Sequence, residues 1–175
     1  RGRGLSDYDP SQGNYRAEII LRDLTDLLAA ANLHRAVVIG TSFGGLLGLG
    51  LCVAQPGAVA GVVLNDAGPE LAAGGLRAIF DGIRHDRPQP DWQAAERGVA
   101  EIFPNLVFRD HATWQAAVRN TFRPGDDGML HFDWDPDVIV PFIERLDKPA
   151  LWPLFNAARN LPMLAVRGEK SDVLT

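Results

Sequence analysis

Three short runs in which nearly every residue is apolar punctuate the chain: Ala36 to Ile39, Ala60 to Leu64 and Met163 to Val166. Runs this short, without polar alternation, predict strands of a parallel sheet buried on both faces. Between the first two, Phe43 to Ala54 is apolar and small and stops at Pro56-Gly57, which predicts a helix buried against that sheet. Strand, crossover helix and strand form a βαβ unit, so the fold class expected is α/β with a mostly parallel sheet. An amphipathic rhythm precedes it. Ile20, Leu21, Leu24, Leu27 and Leu28 recur at helical spacing opposite Arg16, Glu18, Arg22, Asp23 and Asp26. This predicts a helix from Tyr15 to Ala31, capped by Asn14 and closed by Asn32. Arg1 to Pro10 has no period and reads as a loop.

From Pro69 to Asp147 the pattern changes to short helical spacings. Helices are predicted over Leu71 to Ile83, from Trp92 after the cap Asp91, over His111 to Asn120 after the cap Asp110, and irregularly from Asp135-Pro136 through Val138 to Leu146, interrupted by Pro141. No buried strand is expected in this region. Pro149 to Asn160 predicts one more helix before the third strand. Roughly eighty residues of short helices exceed an ordinary connection between sheet strands, so they are read as a helical cap. The organisation expected is a first part of the core over 1–68, the cap over 69–147 and a second part of the core over 148–175. The chain opens on Arg1 and closes on Ser171 to Thr175 without a finishing element, and it is read as an internal piece whose N- and C-terminal core elements lie outside it.

Composition narrows the partners. With 175 residues, 46% of them hydrophobic, the chain can bury a sizeable core. Its 22 acidic residues outnumber 17 scattered basic ones, for a net charge of -5, which points away from nucleic acid. No run of about eighteen apolar residues exists, so no membrane span is expected. The single cysteine, Cys52, forms no internal disulfide; it suits a reducing compartment, a cytoplasmic location is expected, and its place in an apolar helix reads as a small buried hydrophobe. The histidines and acids show no metal-ligand spacing, and the glycines lack the spacing of a phosphate loop. No metal and no cofactor are therefore expected, and the partner is a small-molecule substrate.

Gly40-Thr41-Ser42-Phe43-Gly44 stands between a predicted buried strand and a predicted helix. That is the setting of a G-x-S-x-G nucleophile elbow, in which the serine sits on a strained turn and the two glycines let neighbouring backbone approach. Ser42 is the candidate nucleophile. A serine hydroxyl needs a base, and the base needs an orienting acid. Asp172, in the polar loop after the third strand, is the expected acid; Asp66, at the end of the second strand, is the competing acid and a pocket candidate. The backbone N–H of Phe43, at the helix N-terminus, is the expected oxyanion donor. None of the four histidines suits the base: His34 precedes the elbow strand at its wrong end, and His85, His111 and His131 lie in the cap region. The base is expected beyond Thr175. Among the cap's polar and aromatic residues, His131 and Trp134, together with Trp152 and Asp66, are expected to line the substrate pocket.

Arg1-Gly2-Arg3-Gly4-Leu5-Ser6, the elbow at Gly40 to Gly45, Leu64-Asn65-Asp66 and Arg167-Gly168-Glu169-Lys170-Ser171-Asp172 follow one another in an order that resembles the α/β-hydrolase fold superfamily, in its cap-bearing serine-hydrolase branch. The resemblance implies a three-layer fold with a helical cap, Ser42 as nucleophile, Phe43 as an oxyanion donor and Asp172 as triad acid. It implies hydrolysis of a small or medium carboxylic ester through an acyl-enzyme. A lactonase or C–C bond hydrolase using the same triad is the alternative, the latter with a carboxylate-binding arginine for which Arg109, Arg119 and Arg123 are candidates. A non-catalytic hydrolase-like binding protein is the other alternative.

Overall fold

The computed structural model describes residues 1–144 and 151–174, with Gln12 through its backbone alone. A 3₁₀ turn at Gln12–Tyr15 leads into α1 (Ala17–Ala30), followed by β1 (Ala36–Thr41), α2 (Phe43–Ala54), β2 (Val59–Asn65), α3 (Ala73–Ile83), α4 (Trp92–Ile102), α5 (His111–Arg119), β3 (Phe122–Pro124), β4 (Leu130–Phe132), α6 (Val140–Ile143), α7 (Trp152–Ala157) and β5 (Met163–Val166). These residues divide into two compact units. A sheet unit comprises Arg16–Leu76 and the described residues from 151 onward; a helical unit comprises Arg1–Tyr15 and Arg77–Glu144.

In the sheet unit, β1, β2 and β5 run parallel in the order β1-β2-β5. Their ends are in step, Thr41 opposite Asn65 and Asn65 opposite Val166. The face carrying Val38, Val62, Leu64 and Met163 is covered, and with Leu49, Leu51 and Ala67 it forms a core onto which α1 adds Leu21, Leu24 and Leu28. Small residues in α2 let this happen: a Cβ on Gly48 would lie 3.0 Å from Val38, and one on Gly50 would lie 2.7 Å from Leu21. Alternate strand residues point to the opposite face. There Val37 is 61% and Ile39 75% exposed, with Leu164 and Val166 also open. The strands were expected to be buried on both faces; among the described residues only one face is covered.

The start of α1 differs from expectation. Its cap is Arg16, in extended backbone with no side-chain bond. Asn14 is drawn away because its amide donates to both carboxylate oxygens of Asp9, at 3.0 and 3.1 Å. Leu27 sits 60% exposed, off the packed stripe. Tyr15, expected to be the first helical residue, is instead fully buried in the helical unit with Val138 and Ile139. Its hydroxyl donates to Asp135 Oδ2 at 2.6 Å and accepts from the backbone N of Asp9 at 2.7 Å. Burial, reinforced by the Asp135 carboxylate, pushes the phenol up to about 12. Tyr15→Phe would leave two polar partners of a buried group unpaired and is expected to cost about 1–3 kcal/mol. A fall of several degrees in the melting temperature checks this, and an unchanged melt would show the network to be dispensable.

Asp91 and Asp110 cap α4 and α5 as expected, accepting from Ala94 N at 2.7 Å and Thr113 N at 2.8 Å. A strand pair was not expected here, yet β3 and β4 form an antiparallel hairpin, with Phe122 opposite Phe132 and Arg123 opposite His131. The hairpin's Phe122, Leu130 and Phe132 are the buried side chains that hold Ala95, Val99 and Val118 of the neighbouring helices. After Asp135 the chain makes a 3₁₀ turn at Pro136–Ile139 and then α6. The last residues of that predicted helix, and the first of the one expected from Pro149, lie outside the described residues.

Candidate active site

The turn from β1 into α2 is built by steric necessity. A Cβ on Gly40 would collide with the backbone of Gly44 and Gly45, so only glycine lets the helix start this close to the strand. Gly44 is different: a Cβ there would meet nothing within 4 Å, so the close approach expected of both motif glycines belongs to Gly40 alone. Between them Ser42 adopts φ 50° and ψ -120°, left-handed backbone that costs a non-glycine residue about 1–2 kcal/mol. Its N–H donates to Asn65 O at 2.9 Å, and its carbonyl accepts from Gly45 N at 2.9 Å. The ladder and the first helical bonds hold the strain in place and leave the Ser42 side chain exposed. Phe43 is the first residue of α2, so its N–H stands at the positive end of that helix.

One strand over, the geometry repeats. Asp66 follows β2 with φ 51°, and its N–H donates to Val166 O at 2.7 Å. Ser42, Asp66 and Arg167 are thus the first residues past three adjacent parallel strands, and the loop from Arg167 carries Asp172 to the same end of the sheet. Asp172 is exposed and its carboxylate has no hydrogen-bond partner among the described residues. Its backbone lies where a Cβ on Gly75 would fall. The Arg167 side chain ties the loop together, donating to Leu174 O at 2.7 Å and Ser171 O at 2.9 Å. Asp66, the pocket candidate at the end of β2, accepts at Oδ2 from Ser171 Oγ at 2.8 Å, and its buried Oδ1 has no partner among the described residues. Neither Ser171 nor Arg167 was singled out for a role, and only the polar character of the turn hinted at one.

The other candidates are distributed. Trp152, of the sheet unit, is partly exposed, donates from Nε1 to Glu70 Oε1 at 2.7 Å and meets Phe155 edge-on. His131 and Trp134 belong to the helical unit. Trp134 stacks on Phe132 with ring centres 4.4 Å apart, and its buried Nε1 has no partner among the described residues. His131 bridges two carboxylates, Nδ1 to Asp86 at 2.5 Å and Nε2 to Asp127 at 3.0 Å, which leaves neither nitrogen to take a substrate proton. Hydrogen bonds donated to Asp86 and then Asp127 raise the imidazole above its usual value, and bonds from Met129 N and His131 hold Asp127 below the usual carboxylate range. A raised histidine stabilises the fold fully below about pH 6.5 and loses that contribution as pH climbs through its folded value. Melting temperature is therefore expected to fall with rising pH above about 6.5, and His131→Ala to flatten that slope; parallel slopes would count against the clamp. Of the candidate carboxylate-binding arginines, Arg119 lies 4.6 Å over the Trp92 ring, and Arg123 lies 5.3 Å over Tyr8 and 3.8 Å from Asp133. His34, just before β1, stands at the opposite end of that strand from Ser42, about 20 Å along it. No helix among the described residues is long and apolar enough to cross a membrane.

Comparison with known proteins agrees with this architecture. A family model described as "Alpha/beta hydrolase family" matches residues 1–170. The chain is similar to a 3-hydroxybutyrate-oligomer hydrolase of Cupriavidus necator, 32% identical over 187 aligned positions that take in 99% of this chain and 62% of that protein. It is similar to the crystal structure of an alpha/beta hydrolase from Novosphingobium aromaticivorans at 36% identity and a TM-score of 0.87, covering 100% of this chain and 63% of that one. An esterase from Mycobacterium tuberculosis shares the fold at 21% identity and a TM-score of 0.64, over 95% of this chain and 54% of its own. The chain thus spans about three-fifths of the first two relatives.

Proposed function

This chain belongs to the alpha/beta hydrolase family, and we propose that it carries the nucleophile and the acid of a serine hydrolase that cleaves carboxylic esters through an acyl-enzyme. The observation that carries the reading is Ser42 itself, a non-glycine residue held in left-handed backbone between a parallel strand and the helix that follows. Strain of that kind persists only where the surrounding structure over-determines it, and it lifts a hydroxyl clear of the sheet end.

The roles follow from position. Ser42 Oγ attacks the ester carbonyl carbon while its proton passes to an imidazole base; the carbonyl oxygen takes the negative charge. The Phe43 N–H, at the positive end of α2, stabilises that charge, and one such donor contributes about 3 kcal/mol in the transition state. Collapse expels the alkoxide, which receives the proton from the imidazolium, and water repeats the sequence on the acyl-serine. Asp172, at the same end of the sheet and with its carboxylate unpartnered among the described residues, orients the imidazole. We assign the base to the part of the protein by which its relatives exceed this chain, since His34 stands at the far end of β1 and both nitrogens of His131 are taken. Trp152 is proposed as a wall of the acyl pocket. The 3-hydroxybutyrate oligomers in the relative's name are linear esters, which supports the ester class and makes their dimer and trimer apt substrates.

The test is labelling of the full-length protein with a fluorophosphonate, followed by hydrolysis of p-nitrophenyl esters of rising chain length and of 3-hydroxybutyrate dimers. Labelling that Ser42→Ala abolishes, with ester turnover, is expected. A folded protein that resists the label would overturn the reading. Turnover of a ring-cleavage dienoate in preference to every ester would transfer the triad to C–C bond chemistry.

A further inference from the structure

We propose that Asp66 is a positioning residue for the acid of this site: its carboxylate clasps the Ser171 hydroxyl and thereby holds the turn that presents Asp172. The proposal rests on the assignment of Ser42 as nucleophile and Asp172 as its acid. It differs from that assignment in giving a role to a second carboxylate, half-buried after β2.

The clasp is anchored on the Asp66 side by the sheet. Asp66 N–H continues the β2–β5 ladder through Val166 O, so its backbone is fixed one residue beyond the strand. Its left-handed φ of 51° turns the side chain out of the strand's alternation, and aspartate is among the few non-glycine residues that tolerate this backbone. On the other side, Ser171 Oγ donates to Asp66 Oδ2 at 2.8 Å and accepts from Val173 N at 3.2 Å and Leu174 N at 3.3 Å. One donor and two acceptor sites are all that a serine hydroxyl has, so this one is fully committed. Asp172 lies between the residue that makes the clasp and the two whose backbone N–H groups donate to its hydroxyl, and its own backbone is seated against Gly75. A further bond from Ala72 N to Val173 O at 2.8 Å docks the turn on the segment that follows Asp66.

The energetic weight falls on one bond. Asp66 Oδ1 is buried with no partner among the described residues, so the Ser171 hydrogen is the side-chain donor that compensates this carboxylate. Removing one partner from a polar pair that is partly shielded from water costs more than removing the pair, so the bond resists opening and the turn keeps one geometry. A base oriented by Asp172 inherits that geometry, and small displacements at this remove can lower a rate by about a hundredfold.

Fluorophosphonate labelling of the full-length enzyme separates the possibilities, because its rate constant reports how well Ser42 is activated and its final extent reports how much protein is folded. Ser171→Ala is expected to label to the full extent at a rate about 10- to 100-fold lower, and Ser171→Thr, which keeps the hydroxyl, to recover most of that loss. Asp66→Asn keeps an oxygen that accepts the same hydrogen and is expected to lose no more than about tenfold, against about 10⁴-fold for Asp172→Asn. A wild-type rate in Ser171→Ala, or a reduced extent at an unchanged rate, would overturn the positioning role. Asp66→Asn falling as far as expected for Asp172→Asn, with Asp172→Asn tolerated, would make Asp66 the acid itself. Should Ser171→Ala yield no soluble protein, the two asparagine variants decide between these outcomes. Failure of Ser42→Ala to abolish labelling would instead defeat the underlying assignment, whatever the clasp variants do.

Discussion

Ser42→Ala in the full-length protein is expected to lower kcat for p-nitrophenyl butyrate by about 10⁴- to 10⁶-fold while leaving the melting temperature within about one degree of wild type. The two halves of this expectation have separate causes. Alanine keeps the Cβ, so the left-handed φ of 50° costs it as much as it costs serine, and the backbone bonds to Asn65 and Gly45 do not involve the side chain. What is lost is the oxygen. The residual rate over water would come from the Phe43 N–H and from substrate binding, which persist without the nucleophile. Ser42→Gly makes the complementary point: it removes the same oxygen and also relieves the turn, so it should melt above Ser42→Ala. Parallel measurement of turnover and melting checks both claims. An alanine variant that keeps more than about a hundredth of the activity would show that another group attacks the ester.

How far the sequence could be read depended on how local each determinant was. The helix Phe43–Ala54 and the strand Met163–Val166 were found at the expected residues because their limits are set by neighbours in the chain, Pro56-Gly57 after one and Pro162 before the other. The elbow was legible for the same reason, since Gly40, Ser42 and the helix start are within a few residues of one another. Partners far along the chain left no such trace. Tyr15 is claimed by Asp135, 120 residues away, so α1 begins later than its apolar spacing suggested, while Asn14, which looked like its cap, is taken by the nearer Asp9. The β3–β4 hairpin did carry a local sign, Pro124 to Gly128 between Phe122 and Leu130, but strands of three residues give too few alternations to show a period. In the site, the Asp66–Ser171 bond spans 105 residues, and no spacing rule connects its ends. Asp66 was therefore noticed for its place after a strand, while what its carboxylate holds was visible only in the fold.

Gly40→Ala is expected to be among the most destabilising single substitutions in this chain, at about 3–5 kcal/mol, with a fall in melting temperature of about 10 °C or more. The reason is what the added methyl would meet. Its carbon would coincide with the backbone of Gly44 and Gly45, the first turn of α2, rather than with the end of a side chain that can swing aside. Relief requires the helix to back away from β1, and α2 cannot do so freely because Gly48 is seated on Val38 and Gly50 on Leu21 across the same core. Movement at Gly44 and Gly45 would also disturb the bond from Gly45 N to Ser42 O, so activity should fall with stability even in the fraction that remains folded. Gly44→Ala is the internal control. A methyl there meets nothing within 4 Å and lies in a helix, where alanine is favoured over glycine by about 0.5–1 kcal/mol, so its melting temperature should hold or rise. Two glycines four residues apart in one motif are thus expected to respond with opposite sign. Equal responses would mean that the approach of α2 to β1 is not what Gly40 makes possible.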